Sequence, residues 1–476
     1  MPGDARFSGS GKRRGYLRPS FTPEESRMAS PTGTRAEIVG HMRDSVPPGM
    51  SILDDELVGL LSASTDELAR TSEGSAEYDR FRAVVRRGVA GLPPLDLAGE
   101  TVIVTGGTGC IGTALLEQLA ATPHRRIVSL SRGLTRPRRL VPGVEYQQVD
   151  VRSADDVGAA FRRIRPDAVF HLAAVRDPGA AEREVRRTVE TNVLGSRNVF
   201  RAAEEVRAGR LVFASTGKAV RYFTRDVYAA TKKIGEALLS GLTLPVTSAV
   251  RFTHVVDNSL ILGKLRQWCD GGTIRLHSPD IAFYGQSALE SAQLMTAAAE
   301  RSGLVTLRNL QWPFSLLDLA LGVRHEVSSS APIYFCGYEA GYEAGVHPAS
   351  YDPATAGHAG PLINALESYS CDSILADQAN RIGVRGRQSE AVKVRIAELA
   401  SACGDGVSDA RLRAVLTEAT WSALQACLHS APADDLQRLG RFAASTHPAL
   451  PADPDHLLVD DVIAQAVRPN GLAAGV

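Results

Sequence analysis

The chain has 476 residues, of which 44% are hydrophobic and 22% charged, the balance of an ordinary globular protein. Lys plus Arg number 53 and Asp plus Glu 53, so the formal net charge is zero. A dedicated nucleic-acid binder shows a basic excess, so no nucleic-acid partner is expected. No run approaches the ~18 consecutive apolar residues of a membrane-spanning helix, so no membrane partner is expected either. The first twenty residues carry no apolar core after their basic residues and do not read as a secretory signal. Cys110, Cys269, Cys336, Cys371, Cys403 and Cys427 lie far apart with no CxxC pair. That fits reduced thiols in a cytoplasmic protein, with no metal site.

Residues 1–30 are rich in Gly, Ser, Pro and Arg and are expected to form a disordered tail. Over 31–98 the spacing of Leu53, Leu57, Leu60 and Leu61, and of Phe81, Val84 and Val85, predicts a helical extension. The pattern then changes. TVIVTGG (101–107), RIVSLSR (126–132), VEYQQVDV (144–151), AVFHLAA (168–174), RLVFAST (210–216) and PVTSAVRF (245–252) read as strands. Helices are predicted between them over 110–122, 155–164, 182–205 and 228–242. The alternation predicts an α/β fold, a Rossmann-type doubly wound parallel sheet with helices on both faces. The nucleotide-binding domain is drawn at 99–250 and a smaller substrate-binding part at 251–350, where the pattern weakens. Residues 351–476 read as a linker and a helical C-terminal extension, from the spacing of Val392, Ile396 and Leu399, then Leu412, Val415 and Leu416.

Thr105-Gly-Gly-Thr-Gly-Cys-Ile-Gly112 follows a predicted strand and opens a predicted helix. Glycines at 106, 109 and 112 permit a tight turn and close backbone approach to a pyrophosphate, and the helix start supplies unpaired N–H groups. Gly106, Thr108, Gly109, Cys110, Ile111 and Gly112 are therefore candidate cofactor contacts. The second strand ends Ser129-Leu-Ser131-Arg132, with no acid for a ribose 2′-hydroxyl. Arg132 suits a 2′-phosphate, so NADP is expected at Ser131 and Arg132, with NAD as the alternative. Arg136, Arg138 and Arg139 add positive charge nearby or simply line a solvated loop.

Ser215 ends the fifth strand, and Tyr228 and Lys232 form Y-A-A-T-K at the head of a helix. Four-residue spacing puts both side chains on one face. An ammonium beside a phenol lowers its pKa from about 10, which makes Tyr228 a usable acid and base. Ser215 or Thr216 can hydrogen-bond the same substrate oxygen.

With these residues in place the chain resembles the extended short-chain dehydrogenase/reductase superfamily. The resemblance implies adenine contacts at Asp150-Val151 and passage of the cofactor along His171-Leu172-Ala173-Ala174. It implies a characteristic Asn at 192, counted among the cofactor contacts. The contrary reading of His171 and Asn192 is a pair of satisfied core polar residues. Phe213-Ala-Ser-Thr-Gly-Lys-Ala-Val220 is similar to the S-T-D-K-A segment of polysaccharide-biosynthesis nucleotide-sugar 4,6-dehydratase/5-epimerases, which act on UDP-N-acetylglucosamine. Val250-Arg-Phe-Thr-His254, His277-Ser-Pro-Asp280, Ser315-Leu-Leu-Asp-Leu-Ala320 and Ile333-Tyr-Phe-Cys-Gly337 resemble further segments of that family. The likeness spans about residues 100–350. It implies a catalytic set of Tyr228, Lys232, Ser215, Thr216 and Lys218, and substrate contacts at Arg176, Arg251, His254 and Arg275. It also implies a small-molecule substrate of nucleotide-sugar type and a homo-oligomer, since such folds commonly pair through helices.

Three departures matter, and two of them, Glu339 and His254, fall on the substrate side; His254 stands where the family has Asn. Where the family has the Asp that acts as acid in water loss, this chain has Gly217; Asp226 or Tyr222 is a possible substitute. Where the family has an Arg for the diphosphate, this chain has Glu339. Three functions compete. The first is transient oxidation of a nucleotide-sugar to a ketone, followed by epimerisation or dehydration. The second is simple ketone reduction or alcohol oxidation on a non-sugar metabolite. The third is a non-catalytic nucleotide sensor or scaffold.

Overall fold

The computed structural model describes residues 33–47, 53–72, 74–85, 87–92, 95–133, 139–258, 260–308, 314–338, 362–375, 378–383 and 390–444. The expected tail at 1–30 and linker at 351–361 lie outside the described residues, as do Arg136, Arg138 and Glu339.

All six expected strands form. They are β1 (Thr101–Thr105), β2 (Arg126–Ser131), β3 (Val144–Gln148), β4 (Ala168–His171), β5 (Arg210–Thr216) and β6 (Val246–Phe252). Three more join the same sheet: β7 (Gly303–Leu307), β8 (Cys371–Ile374) and β9 (Ala379–Ile382). The spatial order is β8-β9-β7-β6-β5-β4-β1-β2-β3. Pairings from β3 across to β7 are parallel, and β9 is antiparallel to both β7 and β8. β1 and β4 are buried at every position. Their apolar β-branched runs suit a sheet covered on both faces. Val102 pairs with Ile127 on one side and Ala168 on the other. Successive strands therefore run outward in opposite directions from β1. The crevice beyond the carboxyl ends of β1 and β4 is the topological switch point where such sheets bind ligands.

The sheet has a core on each face. One gathers Phe161, Val199, Phe200, Phe213 and Ile234 with Leu399, Leu412, Val415 and Leu416. The last four belong to the helices Glu390–Gly404 and Asp409–Ser430, so the predicted C-terminal helices cover the outer face of the sheet's own helices. The other core holds Leu115, Leu116 and Leu119 with Leu294, Met295 and Leu362.

The helical extension predicted over 31–98 forms three helices, Arg35–Ser45, Asp55–Thr71 and Gly74–Val84. They pack into a third core rather than standing apart. Ile38, Met42, Leu61 and Phe81 meet Leu265, Leu317 and Ile333 there. Phe81 lies edge-on to Phe314 with ring centroids 5.5 Å apart. Arg35 pairs with Asp318 at 2.7 Å.

Candidate functional site

The glycine loop turns between β1 and the helix Cys110–Ala120. Gly106 has φ +72, a left-handed conformation open to glycine. A Cβ there would lie 2.7 Å from the Ala173 nitrogen. A Cβ on Gly112 would lie 2.4 Å from the Gly106 carbonyl oxygen, so the helix start and the turn are in backbone contact. The N-cap is Gly109, which brings no side-chain oxygen to the first turn. This cradle fits a dinucleotide pyrophosphate. Thr108, Gly109, Cys110 and Ile111 line its accessible rim, and Leu172, Ala173 and Ala174 lie partly exposed opposite.

At the end of β2, Ser131 and Arg132 are partly exposed. Asp150 is held by Arg152 at 2.7 Å. That hydrogen bond is the main reason its carboxyl sits below the usual range. Val151 is buried, and a Cβ on Gly195 would lie 2.9 Å from its Cγ2.

His171 and Asn192 are satisfied polar residues of the core. His171 Nδ1 is 2.7 Å from Thr105 Oγ1, and Nε2 is 2.9 Å from Ser196 Oγ. Thr105 Oγ1 also accepts the N–H groups of Leu172 and Ala173, so this chain of hydrogen bonds fixes the strand end that faces the loop. Asn192 corrects an expectation. It is buried in a π-helical turn, Glu190–Leu194. Its amide oxygen accepts from Val175 N–H, and its amide nitrogen donates to Val175 O and Thr231 Oγ1. Both N–H groups are spent inside the protein, so Asn192 holds the 172–177 loop instead of touching a cofactor.

Burial pushes the His171 pKa down to about 3. The folded chain thus keeps it neutral where the unfolded chain, with a pKa near 6.5, binds a proton. More protons in the unfolded state means stability falls as pH drops from about 6.5 toward 3. The melting temperature should decline across pH 6.5 to 4, and His171→Asn should flatten that slope whatever its effect at neutral pH. An unchanged slope would remove His171 from the account.

Tyr228 and Lys232 lie in the first turns of the helix Val227–Leu239. The Thr216 hydroxyl hydrogen-bonds the Tyr228 phenol, and Arg176, exposed nearby, acts on it through its charge. Burial nonetheless pushes the Tyr228 pKa up to about 12. The expected ammonium effect is not present in this geometry. Lys232 donates from Nζ to the Ala214 carbonyl at 2.7 Å and lies 4.8 Å from the Phe213 ring centroid. Burial lowers its pKa to about 7. Ser215 is a second correction. Its hydroxyl donates to Glu236 Oε1 at 2.6 Å, so Thr216, not Ser215, partners the phenol.

Lys218 Nζ is 3.1 Å from Asp226 Oδ2. Asp226 caps the Tyr228 helix, its other oxygen accepting from Ala229 N–H at 2.8 Å. Tyr222, the other acid considered, is buried among Leu366, Leu424 and Leu428, its hydroxyl oxygen accepting from the Leu366 N–H at 3.4 Å. The space beside Gly217 is filled. A Cβ there would lie 2.4 Å from Leu362 Cδ2 and 3.3 Å from the Phe252 carbonyl oxygen. Gly217→Asp should therefore destabilise the fold by about 1–3 kcal/mol through overpacking. Leu362→Ala in the same chain should recover part of that loss. Urea unfolding of the two single variants and the double variant checks this, and additive losses would refute the contact.

Two of the expected substrate contacts change, and a third keeps an accessible position. Arg251 is fully buried and donates to Glu236, Glu367 and the Leu362 carbonyl, so it meets no substrate phosphate. His254 packs on Phe283, with ring centroids 5.0 Å apart. Burial pushes its pKa down to about 4, so it is neutral and offers no charge to a phosphate. Arg275 stays partly exposed on the edge of a small sheet and donates from Nε to Cys336 Sγ at 3.3 Å. The residues that sequence reasoning missed are Glu236, Glu367, Glu182 and Leu362. Three of them hold catalytic-segment residues from distant positions, for which spacing gives no signal.

Among the described residues no group of three His, Cys, Asp or Glu side chains is arranged to hold a metal ion. No helix among them is long and apolar enough to cross a membrane. No disulfide joins any of the six cysteines.

Residues 102–241 match the model of the NAD dependent epimerase/dehydratase family. The matched stretch holds the glycine cradle at the switch point and the Tyr228–Lys232 helix, and it is similar to that family. Particular relatives are more distant. The chain is 25% identical over 274 residues to the capsular polysaccharide biosynthesis protein CapD of Staphylococcus aureus, covering 52% of this chain and 45% of that one. It is 25% identical over 265 residues to the probable polysaccharide biosynthesis protein EpsC of Bacillus subtilis, covering 52% and 44%. A UDP-glucose 4-epimerase of Rickettsia canadensis is 27% identical over 218 residues, covering 42% and 63%. The chain thus spans less than half the length of the first two. Among solved structures, Pen from Bacillus thuringiensis aligns at 23% identity with a TM-score of 0.47, over 52% of this chain and 81% of that one.

Proposed function

We propose that the chain is an NADP(H)-dependent enzyme that oxidises a nucleotide-sugar transiently to a ketone and returns it as an epimer, without eliminating water. The glycine cradle, with Ser131 and Arg132 at the end of β2, supports the dinucleotide and its 2′-phosphate. What the cofactor supplies when bound is a reversible hydride acceptor. Tyr228, once it has lost its own proton, takes the proton of the hydroxyl being oxidised, with Thr216 hydrogen-bonded to the same phenol to orient it. The ketone so formed acidifies the neighbouring C–H, and Lys218, partly exposed just after β5, is the candidate to exchange that proton. Arg176 is exposed and Arg275 partly exposed, and both are candidates to meet substrate phosphate.

The observation that carries the choice of epimerisation over dehydration is Leu362 packed beside Gly217. Gly217 brings no acid, and Leu362 Cδ2 occupies the place a Cβ would take. Asp226 is already engaged, by Lys218 Nζ on one oxygen and by the Ala229 N–H at the head of the Tyr228 helix on the other. The same ion pair lends weight to a second reading, plain ketone reduction, since Lys218 is engaged. Copies of the chain that associate have to use a face other than the one its own C-terminal helices cover.

The test is incubation of the purified protein with UDP-sugars in D2O, followed by mass spectrometry. Deuterium gain without water loss is expected. Loss of water would overturn the argument from Gly217. Stoichiometric consumption of NADPH with a non-sugar ketone would move the function to the second reading.

A further inference from the structure

The helix that carries Tyr228 begins with N–H groups that no earlier turn of that helix can satisfy. Two carboxylates meet them. Asp226 Oδ1 accepts from Ala229, and Glu182 Oε1 accepts from Val227 at 2.8 Å. Glu182 comes from a different helix, Pro178–Arg183. Its second oxygen pairs with Arg413 Nη1, and Arg413 Nη2 donates to the Glu182 backbone carbonyl. Arg413 lies on the helix Asp409–Ser430, 231 residues along the chain from Glu182.

The same helix holds the loop that leads into Tyr228. Two turns after Arg413, Thr420 Oγ1 donates to the Thr224 carbonyl at 3.2 Å. Trp421 lies edge-on to Phe223 with centroids 5.3 Å apart. Leu424 and Leu428 pack against Tyr222 and Phe223. One C-terminal helix therefore touches residues 222–224 directly and the Val227 amide through Glu182.

We infer that Arg413 and Glu182 are positioning residues, through which the C-terminal helix Asp409–Ser430 fixes the start of the Tyr228 helix and so the placement of the phenol. This rests on the proposed role of Tyr228. The physical reason is that Glu182 is almost buried, its side chain 9% exposed. Without the guanidinium it turns toward water and releases the Val227 N–H. Acid–base groups tolerate little misplacement; a displacement of about 1 Å can cost on the order of 100-fold in rate.

The test uses the full-length chain with Arg413→Met, and reads amide hydrogen exchange together with kinetics. Exchange should accelerate over residues 222–230 and stay at the wild-type rate in β1 and the helix Cys110–Ala120. Turnover should fall roughly 10- to 100-fold, while KM and cofactor Kd stay within about threefold. Arg413→Lys should recover part of the loss. Wild-type exchange at 222–230 would overturn the inference, and so would acceleration spread over the whole chain, which a merely structural role predicts. If Arg413→Met does not fold, Glu182→Gln keeps an acceptor for Val227 but drops the charge pair, and the same readings apply to it. If the wild-type chain turns over no nucleotide-sugar, the reading of Tyr228 fails, and the exchange pattern alone still decides the positioning.

Discussion

Tyr228→Phe should abolish turnover while leaving cofactor binding intact. The substitution removes one hydroxyl and keeps the ring, so the packing of the helix Val227–Leu239 is preserved. What is lost is the group that exchanges a proton with the substrate hydroxyl. Positioned general acid–base catalysis contributes about 10²- to 10⁴-fold, and the rate should fall by that amount. The dinucleotide cradle at Gly106–Gly112 lies on other elements, so cofactor Kd should change by no more than a few-fold. Thr216→Val should show a smaller loss, because it removes only the partner of the phenol. Ser215→Ala should instead show itself in stability, since Ser215 donates to buried Glu236. Steady-state kinetics beside cofactor titration separates these outcomes. Turnover of Tyr228→Phe within tenfold of wild type would remove Tyr228 from the chemistry.

Arg251→Met should be the most destabilising single change in the sheet. All five N–H groups of this guanidinium are used. Nε and Nη2 donate to the two oxygens of Glu236, each at 2.8 Å. Nη1 and Nη2 donate to the two oxygens of Glu367, and Nη1 also reaches the Leu362 carbonyl at 3.0 Å. The Arg251 side chain has no exposed surface, and those of Glu236 and Glu367 are 2% and 9% exposed. The two carboxylates push the Arg251 pKa well above its usual range against the effect of burial. Removing the cation leaves two buried carboxylates without it, at a cost of about 3–5 kcal/mol. Lysine cannot restore the fork geometry, so Arg251→Lys should rescue little. Replacing all three residues with apolar ones of similar volume should recover most of the stability. Urea unfolding checks the series, and a loss below about 1 kcal/mol in Arg251→Met would refute the network. The same triad anchors the Leu362 segment beside Gly217, so loss of Arg251 should also loosen the substrate side.

The sheet was legible because its signals are local. The runs 101–105, 126–131 and 168–171 are short, β-branched and apolar, and turns or helices separate them. The cradle was legible for the same reason, since the strand, the glycines and the helix start adjoin along the chain. The spacing of Tyr228 and Lys232 puts them on one helix, and they are there. Their electrostatics were not legible. Where the Lys232 ammonium points depends on Ala214 and Phe213, and how far burial raises the phenol pKa depends on everything packed over it. β7, β8 and β9 escaped notice because the pattern beyond Phe252 is irregular and their partners are distant.

By itself the sequence determined the Rossmann order of elements, the dinucleotide cradle and the presence of the Tyr228–Lys232 pair, because each arises from contacts between residues a few positions apart. Only the tertiary structure decided what those residues face. Arg251 looked like a phosphate ligand and is a buried clamp, because Glu236 and Glu367 converge on it from positions 15 and 116 residues along the chain. Gly217 looked like a missing acid, and Leu362 fills its space. The C-terminal helices looked like an appendage, and one of them reaches the head of the Tyr228 helix through Arg413 and Glu182. Charge, burial and free space at a point depend on which distant segments meet there, and no local pattern encodes that.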